Sequence, residues 1–165
     1  MKKNRIIIFL LIIAIPIGFF LFKKFSKNKD TSQNLETEFE TNAVINIDKK
    51  NYECNFLHYQ GKSKIDLVKP DSIKDLSIEW FDGKQKISIS DLTKDDVKLQ
   101  EDSFLNLVIK ILDNLKSIQI SKINDDGRYQ IFKGTIENNE FEITAEKSKI
   151  LEIYIKSKNA RISFD

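Results

Sequence analysis

Three hydropathy patterns follow one another along the chain. From Ile6 to Phe22, seventeen residues run without a charge or strong polar group. Residues 26–41, SKNKDTSQNLETEFET, are polar and lack periodicity apart from Leu35 and Phe39. From Ala43 onward, short runs alternate apolar with polar, and turn residues break them about every 8 to 12 positions, the signature of an antiparallel sheet. The pattern predicts an anchor over 1–25, a polar tether over 26–41 and a β-rich domain over 42–165.

A hairpin can be tested by register, because a correct turn brings apolar residues opposite one another on one face. Asp82-Gly83 as a two-residue turn sets Trp80 against Gln85, Ile78 against Ile87 and Leu76 against Ile89. Gln60-Gly61 sets Phe56 against Ile65, Cys54 against Leu67 and His58 against Ser63 near the rim. Asn138-Asn139 sets Ile136 against Phe141, Gly134 against Ile143 and Phe132 against Ala145. A four-residue loop, Asn124 to Gly127, pairs Ile120 with Ile131. The last strand runs from Ile150 to Ile155, with a continuation through Arg161 to Phe164 in uncertain register.

One segment has helical period, Ser103 to Lys116. Asn106, Lys110 and Asp113 form a narrow polar stripe, and Phe104, Leu105, Val108, Ile109, Leu112 and Leu115 cover the rest. Ser103 or Asp102 is placed to cap its first free amides. A helix so widely apolar has to bury most of its circumference. It is expected as a lid across the sheet, in an α+β architecture of strands, helix, then strands. Leu76, Ile78, Trp80, Ile87, Ile89, Phe104, Val108 and Leu112 are the candidate core or cavity face. Trp80 and Phe81 point to opposite faces. If Trp80 packs under the helix, Phe81 is either a protein contact or is covered by a neighbouring strand or the tether.

Charge sharpens the division. Residues 1–30 hold seven basic residues against Asp30, or +6, so with a net charge of +2 the rest of the chain carries −4. A mildly acidic domain repels a phosphate backbone, which argues against nucleic acid. The apolar run would span about 26 Å as a helix at about 1.5 Å per residue, and flanking lysines can snorkel across the small deficit. Ile6, Phe9, Leu11, Ile15, Phe19 and Phe22 are its lipid-facing candidates. Bulky residues over 18–22 offer no small-x-small cleavage site, so an uncleaved signal-anchor is favoured over a cleaved signal peptide. The short basic N-terminus favours an extracytoplasmic C-terminal domain of a single-pass membrane protein.

Candidate chemistry is sparse. One cysteine, Cys54, excludes an internal disulfide, and one histidine, His58, limits zinc sites. A Ser-His-acid triad is arithmetically possible with His58, but no nucleophile elbow or Gly-rich oxyanion loop accompanies it, and it reads as a partly exposed strand residue. Asp95-Asp96 with Glu101-Asp102 reads as a solvated cluster before the helix. No cofactor, metal or catalytic residue is expected.

Lys69-Pro70-Asp71 before one alternating strand, Phe81-Asp82-Gly83-Lys84 before the next, and Tyr52-Glu53-Cys54 before the first hairpin resemble the LolA-like lipoprotein-carrier superfamily. Within it, they are similar to GerS-like germination lipoproteins of spore-forming anaerobes. The resemblance implies a half-open antiparallel barrel with the helix on its concave face. It also implies one of two roles: a carrier of acyl chains, or a partner that activates a zinc-dependent spore-cortex amidase. The chain departs from the lipoproteins in lacking a lipidation Cys after the apolar run, where an anchor helix would stand in for the lipid.

Overall fold

The computed structural model describes residues 34–95, 97 and 99–165. The anchor expected over 1–25, with Ile6, Phe9, Leu11, Ile15, Phe19 and Phe22, lies outside them. Among the described residues no helix is long and apolar enough to cross a membrane.

Six strands come first: β1 (Phe39–Ile47), β2 (Lys50–Tyr59), β3 (Lys62–Lys69), β4 (Leu76–Phe81), β5 (Lys84–Ile89) and β6 (Leu92–Asp95). Helix α1 (Phe104–Asn114) follows, and then β7 (Ile120–Asp125), β8 (Tyr129–Ile136), β9 (Asn139–Glu146), β10 (Lys149–Ile155) and β11 (Ala160–Phe164). All eleven form one antiparallel sheet in the order 6-5-4-3-2-1-11-10-9-8-7. Two meanders are therefore joined at the middle by β1 and β11, where Ile45 faces Ile162 and Ile47 faces Ala160. The sheet is open and curved, and α1 connects its two outer edges.

The register follows the turn chemistry. At Asp82-Gly83 both central residues have positive φ, 48° and 74°, which matches the strand twist, and every expected pair from Trp80–Gln85 to Leu76–Ile89 forms. The Gln60-Gly61 hairpin also pairs as expected, His58 with Ser63 included.

The third hairpin is a correction. Its turn is Glu137-Asn138, with φ of 48° and 65°, so Ile136 faces Asn139, Gly134 faces Phe141 and Phe132 faces Ile143. Moving the turn by one residue shifts each pairing by two, and that parity keeps the same side chains on the inner face. Gly134 is required there: a Cβ would meet Phe141 Cζ at 2.5 Å.

Ile120 faces Gly134, not Ile131, because the ladder continues to Asp125–Gln130 and sets the loop at 126–129, two positions later than expected; a one-residue shift between Lys122 and Asn124 also leaves Ile123 without a partner. The C-terminal stretch divides into β10 and β11 around a 3₁₀ turn, Lys156–Lys158, that ends on left-handed Asn159.

The inner faces of both meanders close on α1. Phe56, Ile65, Phe132, Phe141, Ile143, Ile153, Ile155 and Ile162 are fully buried with Leu107, Ile111, Leu112 and Leu115 from the helix side. Phe39, Phe56 and Phe164 meet ring to ring at 5.1 to 5.8 Å where the meanders join. Ser103 precedes the helix in extended conformation, but neither it nor Asp102 caps it with a side chain. Asp102 is instead drawn to Lys158 at 2.6 Å.

Candidate functional site

The helix does not seal the sheet evenly. Its apolar faces pack down, whereas the polar stripe Asn106, Lys110 and Asp113 borders a groove of about 640 Å³. The opposite wall comes from the turns at Gly61 and Gly83, with Ser63, Trp80 and Gln85. Val97, Leu99, Glu101 and Glu137 complete its lining. The stripe that the sequence marks as the helix's polar side thus becomes a groove wall.

Asn106 organises that wall although it is buried. Its Oδ1 accepts from Trp80 Nε1–H at 2.8 Å and from Gln85 Nε2–H at 2.9 Å. Its Nδ2 donates to the Gln100 carbonyl at 2.8 Å. Gln85 Oε1 accepts in turn from the Leu99 amide at 2.6 Å. A buried amide with both ends satisfied fixes hairpin, loop and helix together.

At the neighbouring corner His58 is 2% exposed, which overturns the partly exposed histidine read from the sequence. The reason is tertiary: the C-terminal half of α1 covers the end of β2. His58 Nδ1 lies 2.7 Å from Ser63 Oγ, and Nε2 lies 3.6 Å from Asp113 Oδ1. Burial lowers the His58 pKa to about 4. Burial also raises that of Asp113, against the opposing pull of a hydrogen bond from the Gly61 amide. A serine, a histidine and an aspartate are therefore brought together. Ser63 is only 1% exposed, however, and a histidine held neutral down to about pH 4 is a weak proton acceptor. The trio ties α1 to the β2–β3 hairpin.

The candidate face divides. Ile78, Trp80, Phe104, Val108 and Leu112 are buried, Leu76 and Ile87 are half-buried, and Ile89 is 41% exposed on the outer hairpin. Trp80 alone of these lines the groove; the others pack away from it or lie outside it. Phe81 is 59% exposed at the groove's lip. Cys54 is buried, and burial lifts its thiol pKa to about 12, so it remains a protonated core residue. Among the described residues no group of three or more His, Cys, Asp or Glu is placed to hold a metal ion.

Lys110 and Asp113 are legible as one polar stripe, but Glu137 as their neighbour is not. The signal was the narrow polar stripe on an otherwise apolar helix, which needs a wet niche wherever the helix docks. The Lys110–Glu137 ion pair at 2.6 Å joins helix to the second meander, a contact across 27 residues that no local pattern announces.

No family model and no curated protein matches the chain. Among solved structures, a conserved protein of Thermus thermophilus is similar at 9% identity and a TM-score of 0.47, over 81% of this chain and 78% of that one. A LolA superfamily protein of Nitrosomonas europaea is similar at 10% identity and a TM-score of 0.46, over 75% of this chain and 67% of that one.

Proposed function

We propose that this protein is a membrane-anchored, extracytoplasmic binding protein that acts as an adaptor and not as an enzyme. The apolar run Ile6–Phe22 supplies the anchor, and the groove beside α1 supplies the binding site. One observation carries the reading: a groove of about 640 Å³ falls within the range of ligand sites, and its walls are pre-ordered by the Asn106, Trp80 and Gln85 hydrogen bonds. Its lining mixes Trp80, Leu99 and Ile109 with charges of both signs, which suits a segment of a protein partner better than a bare hydrocarbon chain.

In its finer form the partner is a cell-wall hydrolase, a zinc-dependent cortex amidase that the bound protein activates during sporulation or germination, as the likeness to GerS-like proteins suggests. The purified full chain should raise the rate of such an amidase on peptidoglycan. Gln85→Ala, which loosens the groove wall without touching the core, should lower the affinity about tenfold for one lost pair of hydrogen bonds. An amidase that neither binds nor accelerates would sink the finer reading.

A carrier of lipids or lipoproteins is the second reading, favoured by the concave sheet under a single lid helix. Side chains fill the space under α1, so an acyl chain would have to displace the helix. Native mass spectrometry of the protein extracted from membranes separates the two, since a carrier retains lipid and an adaptor leaves without it.

A further inference from the structure

Four neighbouring strands bring an unusual row to the outer face of the sheet. Tyr59 pairs with Lys62, Lys62 with Phe81, and Phe81 with Lys84. The register therefore writes aromatic, lysine, aromatic, lysine in one line across β2, β3, β4 and β5, and all four side chains are exposed. In the next row Lys64 reaches Asp66 and Glu79, and Lys86 reaches Asp95; among the described residues Lys62 and Lys84 form no ion pair, with Glu79 and Asp95 lining the same hollow as they do. Asp82, in the turn itself, is the nearest acid in sequence.

The row's position on the fold gives it meaning. β1 starts at this end of the sheet, since Phe39 pairs with His58. Before it, Leu35 is buried in the core and the Glu36 amide donates to the Ser148 carbonyl in the β9–β10 turn at 2.8 Å, and Thr37 and Glu38 line a small cleft with Gln60 and Lys116. The two turns adjoin, with the Asp82 amide donating to the Gly61 carbonyl at 3.3 Å. The start of β1, both hairpin tips and the groove mouth therefore share one end of the sheet.

Aromatic rings with unpaired lysines are the side chains that settle at a membrane interface. The rings occupy the headgroup level while the ammonium groups reach anionic phosphates. We infer that the Tyr59–Lys62–Phe81–Lys84 row is a docking surface for anionic lipid headgroups of the bilayer that carries the anchor. The inference rests on the anchored reading above. It reassigns Phe81 from a protein contact to a lipid contact, and because Lys62, Phe81 and Lys84 also line the groove, it sets the groove mouth at headgroup level.

The test uses the full chain in vesicles of phosphatidylcholine with phosphatidylglycerol. A nitroxide is placed at Gln60→Cys beside the row or at Lys50→Cys at the far end of β2, about 30 Å away along the strand. The buried Cys54 is left in place. Label 60 is expected to be shielded from a water-soluble nickel chelate and reached by oxygen, with label 50 fully open to the chelate. Lys62→Gln with Lys84→Gln should weaken the contact about 25-fold, as two lysines near an anionic surface require.

A chain that floats with the vesicles while label 60 stays as wet as label 50 overturns this inference and leaves the anchor standing. A chain that does not float overturns both. Shielding of label 60 in native envelopes but not in protein-free vesicles gives the row to a protein partner and overturns the lipid assignment.

Discussion

The two meanders of the sheet have similar strands and different fates. In the second, β8 to β11 bury Phe132, Phe141, Ile143, Ala145, Ile153, Ile155 and Ile162 almost completely, and exposure of large apolar residues is confined to its edge strand β7, where only Ile120 is half-buried. In the first, burial fades toward the edge: Ile78 and Trp80 are buried, Ile87 is half-buried, and Ile89 and the whole of β6 are exposed. The first meander also holds His58, the groove's hairpin wall and the aromatic-lysine row. Stability is concentrated where the sheet meets itself and the helix, and binding features where the packing runs out, as expected when recognition needs exposed groups on a rigid support.

Phe141→Ala should break that division most severely. Phe141 is fully buried, and its ring lies against Gly134 across the β8–β9 pair. Truncation leaves a cavity that the backbone of Gly134 cannot fill, at a cost of about 3 to 5 kcal/mol in urea unfolding. A loss below about 1 kcal/mol would mean that the second meander is not the stable half.

The next effect is read from pH. Folded His58 stays neutral to about pH 4, while the unfolded residue takes a proton near 6.5. Between those values the unfolded state binds more protons, so stability is whole above pH 6.5 and falls as pH drops toward 4. The loss is on the order of 2 to 3 kcal/mol from the size of the shift. Asp113, whose pKa burial raises, takes its proton earlier than in the unfolded chain and offsets part of that loss at the acid end. Chemical unfolding from about pH 7 to about pH 4 measures the slope, and His58→Gln should flatten it.

Asn106→Ala sharpens the comparison at the groove. It strips the acceptor from Trp80 Nε1–H and Gln85 Nε2–H, and an indole N–H left buried costs about 1 to 3 kcal/mol. The loop at Leu99 and Gln100 loses its tie to the helix. Hydrogen exchange should therefore quicken at the Leu99 amide and stay unchanged at Ile143.

What the sequence made legible divides along the same line. Hairpins closed by Asp82-Gly83 and Gln60-Gly61 are readable to the residue, because Gly takes up positive φ and so fixes where each turn sits. The β8–β9 turn falls one position earlier than its two asparagines suggest, because Glu137, not an obvious turn residue, adopts φ 48° beside Asn138. The inner face is the same either way, since a slip of two preserves parity. The β7–β8 loop falls at 126–129, two positions later than Asn124-Asp125 suggest, which takes Ile120 away from Ile131, and the one-residue bulge at Ile123 has no sequence mark. The groove is least legible: Asn106 and Trp80 are 26 residues apart, and His58 meets Asp113 only because α1 crosses the sheet. Local pattern encodes strands and faces, whereas a site made between a helix and two turns depends on where the helix lands.

The smallest effect tests the outer edge. Leu92 is 75% exposed on β6 and faces Ile89 across the last ladder of the sheet. An apolar pair on an edge strand invites pairing with another chain, yet it contributes little to a fold that does not enclose it. Leu92→Lys should move stability by no more than about 0.5 kcal/mol while reducing self-association at high concentration, as light scattering would record. A drop in Tm comparable to that of Asn106→Ala would show that β6 is covered in the working protein. The contrast between a packed second meander and a thinning first one would then fail at the edge where it is drawn most sharply.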